Sequence, residues 1–118
     1  MTLNEVIEKL DLKLLTESKD FETIEPTSGY ASDLLSCVMA GAKSKGLWIT
    51  LQAHVNIVAV AALLDLSAVI ITEGAIPDAP TIAKANDQGV TLLSTVEPSF
   101  GIAGRLWEMG LRNADLPG

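Results

Sequence analysis

Cys37, His54 and either Asp33 or Asn56 are the residue kinds of a nucleophile, a base and an orienting group, and together they would support nucleophilic catalysis. Their spacing matches no local nucleophile signature. Cys37 lies beside Val38 and one helical turn from Asp33, a position where a small buried thiol is the expected occupant. His54 is the only histidine, and with no partner near it in sequence it reads as a polar loop residue rather than a general base. Metal binding needs several convergent donors, and only His54, Asn56 and Glu73 are available, so no metal or cofactor is expected. Phosphate-binding loops are missing as well. Gly41-Ala42-Lys43-Ser44-Lys45-Gly46 has the letters of a P-loop in the wrong order, and Gly101-Ile102-Ala103-Gly104 is a lone GxxG inside a predicted helix. No residue is therefore assigned to catalysis.

A second set of polar residues punctuates an apolar text: Gln52, His54 and Asn56, then Thr72, Glu73 and Gly74, then Ser94 and Thr95. Each group follows a strand-like run, Leu47 to Leu51, Ala68 to Thr72 and Val90 to Leu93. Each run precedes a helix-like segment: Val55 to Leu64, then from near Asp78 to Gly89, then from near Pro98 to near Gly110. Strands alternating with helices are βαβ units, which build a parallel sheet with right-handed crossovers. The strands are apolar runs rather than strict alternations, as in a sheet covered on both faces. The expected fold is thus a layered α/β sandwich with a mostly parallel sheet and helices on its faces. In such a sheet the carboxyl ends of the strands share one rim, where helix N-termini present N–H groups to anions. The eight residues above are the candidate ligand contacts, with Asn56, Ser94 and Thr95 also fit to cap helices.

Upstream, Thr2 and Glu5 form a capping box for an amphipathic helix carrying Leu3, Val6, Ile7 and Leu10. Leu12 to Thr16 reads as a short strand, Glu17 to Glu25 as a solvated acidic loop, and Thr23-Ile24 as the start of another extended piece. Gly29 to Asp33 leads into a helix carrying Leu34, Leu35, Val38, Met39 and Ala42, with Ser32 as its N-cap. Leu116-Pro117-Gly118 reads as a frayed tail.

Composition narrows the function classes. At 118 residues the chain is one domain, and 48% hydrophobic against 19% charged residues excludes disorder. A net charge of −7 disfavours a phosphate-tracking surface, so no nucleic-acid partner is expected. The single cysteine fits a reducing, cytoplasmic setting. The N-terminus has no secretory pattern, and the longest uncharged run, Gly46 to Leu64, is interrupted by Gln52, His54 and Asn56, so no membrane span is expected. The segment Val55 to Leu64 has almost no polar face, and a helix apolar all round must be covered all round. A homodimer contact through Ile57, Val58, Ala61 and Ala62 is the expectation, and cover by the N-terminal helix within the monomer is the alternative.

Gly29-Tyr30-Ala31-Ser32-Asp33-Leu34-Leu35-Ser36, continued by Leu47-Trp48-Ile49-Thr50 and by Ile70-Ile71-Thr72-Glu73-Gly74, resembles the DRTGG domain family over nearly the whole chain. That family is similar to the N-terminal domain of HPr kinase/phosphorylase and is embedded in some phosphotransacetylases and CBS-containing pyrophosphatases. Free-standing members occur in anaerobes, some encoded near iron-only hydrogenases. The resemblance implies a non-catalytic regulatory or assembly module, linked to hydrogenase or phosphotransfer metabolism, that binds a protein partner. The alternative is a sensor of a nucleotide or small anion using the strand ends. The family's Asp-Arg pair falls on Ala53 and His54, and its Thr-Gly-Gly on Thr72, Glu73 and Gly74. Losing an arginine fork and gaining Glu73 weakens a phosphate site.

Overall fold

Strands β2 (Gly29–Ala31), β3 (Leu47–Thr50), β4 (Ala68–Ile71) and β5 (Leu92–Ser94) lie side by side in chain order and all parallel. A fifth strand, β1 (Lys13–Leu14), adds antiparallel to β5 at the edge. The computed structural model describes residues 1–114, so the Leu116-Pro117-Gly118 tail lies outside the described residues. Neighbouring parallel strands taken in chain order have one consequence. Right-handed crossovers between them must all run over the same face. Helices α2 (Leu35–Gly41), α3 (Asn56–Leu64) and α4 (Ala79–Gln88) accordingly pack with Trp48, Val69, Ile71 and Leu92 on one face. Helices α1 (Leu3–Lys9) and α5 (Ser99–Glu108) close the other, against Leu47, Ile49, Ala68, Ile70 and Leu93. Both faces of β3 and β4 are buried, which is why these strands read as continuous apolar runs.

The ends of the elements follow local chemistry. The Thr2 hydroxyl accepts the Glu5 N–H at 3.2 Å and opens α1. Asp78 caps α4, with Pro80 in the first turn, and Gly89 ends it in the left-handed conformation at φ 70°. Among the described residues no helix is long and apolar enough to cross a membrane.

Five expectations need correction. Leu12 to Thr16 yields only two residues of strand, because Asp11 turns left-handed just before it and the Thr16 hydroxyl, rather than the backbone, meets the Leu92 N–H. Thr23-Ile24 is not a strand. This segment instead folds over the start of α1, where the Ile24 and Phe21 carbonyls accept the otherwise open N–H groups of Leu3 and Asn4 at 2.7 and 3.1 Å. Gly29 to Ala31 is the edge strand β2 rather than a helix lead-in, and Ser32 is not the cap of α2. Its hydroxyl accepts the Leu34 N–H at 3.1 Å, closing a turn before the helix begins.

The fourth correction concerns the interface candidates. Ile57, Val58 and Ala61 are buried within this chain against Trp48, Val69 and Ile71, so they cannot meet a second copy. Among the four only Ala62 is partly open, and the outward residues of α3 are Asn56, Ala59 and Leu63. One sheet face plus flanking α2 and α4 covers more of a short helix than its apolar sequence suggests. Cys37 goes the other way: it is exposed, because α2 turns Val38 inward and leaves the neighbouring thiol outside.

Candidate functional site

Connections from adjacent strands that leave toward opposite faces open a crevice between them. In this sheet that happens once in the parallel part. The loop after β4 goes to α4 on one face, and the loop after β5 goes to α5 on the other. Here the structure has a cavity of about 590 Å³, walled by Gly74, Ala75 and Ile76 from the first loop and by Ser94, Thr95, Val96 and Glu97 from the second. Lys13 of the edge strand completes it together with the flanking Asp11 and Leu15, and Arg105 of α5 also lines it.

The two loops are tied across the crevice. The Glu73 N–H donates to the Glu97 carbonyl at 2.9 Å and the Gly74 N–H to the Thr95 carbonyl at 3.1 Å. Glu73 and Gly74 both take left-handed backbone, at φ 62° and 74°. This turn aims the Glu73 carboxylate at the start of α5, where Oε2 accepts the Ser99 N–H at 2.7 Å. A carboxylate of the chain itself therefore occupies the anion position of this helix N-terminus. Thr72 is buried, with its hydroxyl against the Ser99 hydroxyl and the Thr50 carbonyl.

The eight strand-end candidates share the rim but not one site. Gly74, Ser94 and Thr95 line the cavity. Thr72 and Glu73 serve as the struts just described. Gln52 and its neighbours form a separate latch at the end of β3: the Asp33 carboxylate accepts the Thr50 hydroxyl and the Leu51 N–H, both at 2.8 Å, and the Gln52 amide donates to the Asp33 carbonyl at 3.2 Å. His54 Nδ1 accepts the Asn56 N–H at 3.3 Å, so Asn56 is held by its neighbour rather than capping α3. Thr95 does not cap α5 either; its hydroxyl accepts the Glu97 N–H at 3.1 Å within the loop. The Asp78 carboxyl is held below the usual carboxylate range, chiefly by hydrogen bonds from the Thr81 hydroxyl and backbone N–H, with His54 adding a smaller charge effect. Among the described residues no three His, Cys, Asp or Glu side chains converge as a metal site.

Asp11, Lys13, Ile76, Val96 and Arg105 are cavity residues that sequence reasoning did not find. Lys13 sits opposite Ser94 because β1 returns antiparallel beside β5, and nothing in a two-residue strand announces its partner. Ile76 and Val96 carried a usable signal: both are large apolar residues in predicted loops.

Searched by sequence, the chain matches no family profile and no curated protein. By structure it is similar to the CBS and DRTGG domains of the regulatory region of a Clostridium perfringens pyrophosphatase, solved in complex with its activator diadenosine tetraphosphate. The TM-score is 0.71 at 17% identity, and the likeness covers 87% of this chain and 44% of that one. A likeness at that identity speaks for the backbone and leaves ligand contacts to be argued from this chain's own residues. The sheet order, the covering of both faces and this neighbour agree, and in fold the chain is a DRTGG-like α/β domain.

Proposed function

We propose that this domain is a regulatory module that responds to a small ligand held in the cavity between the ends of β4 and β5 and the edge strand β1. The observation that carries the reading is the coincidence of that cavity with the crevice the topology creates, lined by Gly74, Ser94 and Thr95. Its volume of about 590 Å³ lies within the roughly 300–1,000 Å³ of small-molecule sites. The regulatory setting of the similar pyrophosphatase region supports a regulatory rather than a catalytic role. The test is an NMR titration with AMP, phosphate and acetate, alongside thermal unfolding. The expected outcome is movement of the Thr95, Gly74 and Lys13 signals with a rise in melting temperature for at least one class of small molecule. Shifts confined to the acidic loop, or none at all across a wider metabolite set, sink the reading.

A second reading, self-association into a homodimer, is favoured by the outer face of α5. Phe100 is 92% exposed and Trp107 51% exposed. Gly101 and Gly104 leave open space beside them. Aromatic knobs and glycine gaps on one helix are self-complementary when two copies cross. Light scattering at increasing concentration tests it, and a mass that stays monomeric at high concentration removes it.

A further inference from the structure

The polar groups lining the cavity are not all occupied, and the pattern of those left over describes a ligand. Arg105 and Glu97 neutralise each other at 2.9 Å, and the second guanidinium nitrogen donates to the Lys9 carbonyl at 2.7 Å. Thr95 is engaged within its loop. The ion pairs among the described residues are Lys45–Asp65 and Arg105–Glu97, so Lys13 and Asp11 stand unpaired, one of each sign. Lys13 is the register partner of Ser94 on β5. Directly opposed residues project from the same side of a sheet with Cβ atoms about 5 Å apart, which puts the Lys13 and Ser94 side chains on one face, with the ammonium within reach of a ligand held at Ser94. Asp11 precedes Lys13 by two positions and is displayed by its left-handed turn at φ 51°.

The remaining wall is apolar and unusually open. Ile76 is 79% exposed and Val96 85% exposed, and both would lose water contact against an apolar body in the cavity. With two cations and two anions among its lining residues the cavity is neutral, inside a chain of net charge −7. A triphosphate finds one unpaired cation there and an unpaired carboxylate against it. A molecule with one positive and one negative end and an apolar body finds a partner for each part.

We propose that the cavity takes an apolar zwitterion, an apolar α-amino acid or its dipeptide, with the carboxylate on Lys13 and Ser94, the ammonium on Asp11 and the apolar body against Ile76 and Val96. This rests on the reading of the cavity as the ligand site. The probes are leucine, leucyl-leucine, N-acetylleucine, leucinamide and AMP, each titrated by NMR and calorimetry into the full chain. Leucine or leucyl-leucine is expected to move the Lys13, Thr95 and Val96 signals, and the tighter of the two identifies the free amino acid or the peptide. Blocking either charged end is expected to weaken binding by about tenfold, the scale of one hydrogen bond to a charged group. Lys13→Gln should erase the preference for leucine over leucinamide, and Asp11→Asn the preference for leucine over N-acetylleucine. Both side chains are exposed, so both variants should fold, and unchanged melting temperatures check that. Equal binding of leucine and N-acetylleucine overturns the proposal. So does AMP binding in the cavity with the leucine series silent, which leaves the cavity reading intact. Silence of the cavity signals toward all five probes overturns the proposal, and the cavity reading falls with it only when the wider metabolite set is silent as well.

Discussion

Glu73 shows how one side chain changes what a strand end can do. It occupies a backbone conformation that favours glycine, at φ 62°, and spends its carboxylate on the Ser99 N–H at 2.7 Å. Read from sequence, Glu73 is a charge that repels an anion at the rim. In the folded chain it takes the anion's place at α5, which moves any ligand toward the β5 and β1 side. Glu73→Ala keeps the unfavourable turn and removes the cap, so it should cost about 1 kcal/mol of stability. Glu73→Gly also removes the cap but relieves the turn, and should be less harmful than Glu73→Ala by up to about 1 kcal/mol. Urea unfolding of the two variants compares them, and an alanine variant as stable as the parent would mean that the Ser99 contact contributes nothing.

At the scale of elements, the central strands were legible and the edges were not. β3 and β4 are long apolar runs between turn residues, and their position in a sheet covered on both faces follows from that pattern. β2 has three residues, Gly29, Tyr30 and Ala31, and earns its place from a tertiary contact. The Tyr30 ring lies against Gly41 of α2, where an added Cβ would fall 2.3 Å from a ring carbon. Gly41→Ala must therefore push the ring or the helix aside, and should lower stability by about 1–3 kcal/mol. Circular dichroism melts measure this, with Ala40→Gly as a control for propensity alone. For α4, the lowered Asp78 carboxyl sets a pH dependence. A folded-state pKa below the unfolded value gives stability that is present above about pH 4 and lost as pH falls through the lowered value. Asp65, lowered chiefly by its hydrogen bond and charge contact with Lys45, acts in the same direction. Asp78→Asn should therefore flatten, without abolishing, the loss of stability between pH 5 and 3 that urea midpoints record.

At the scale of the whole molecule, covering α3 was the open question in the sequence, and the chain answers most of it internally. Besides Leu63 on α3, large apolar side chains stay exposed at Ile76 and Val96 by the cavity and at Phe100 and Trp107 along α5. Gly101 and Gly104 meet nothing that would exclude a Cβ, although glycine inside a helix is less favourable than alanine by about 1 kcal/mol. Gly101→Ala and Gly104→Ala should each raise the melting temperature of the isolated chain. If copies cross at α5, the same substitutions should weaken their association, which sedimentation equilibrium reads separately from stability. Higher stability with unchanged association would remove α5 from the contact.

Local chemistry determined the α/β class, the order of the elements after Gly46 and most helix ends, because periodicity, caps and glycine stops act over a few neighbouring residues. The rim was legible for the same reason, since parallel strands with polar ends must share one. Only the tertiary structure decided that β1 returns beside β5 and that the loops after β4 and β5 part to opposite faces. Those are pairings between residues far apart in the chain, set by the burial of both sheet faces rather than by local sequence. They separate Gln52, His54 and Asn56 from the cavity and bring Lys13 opposite Ser94.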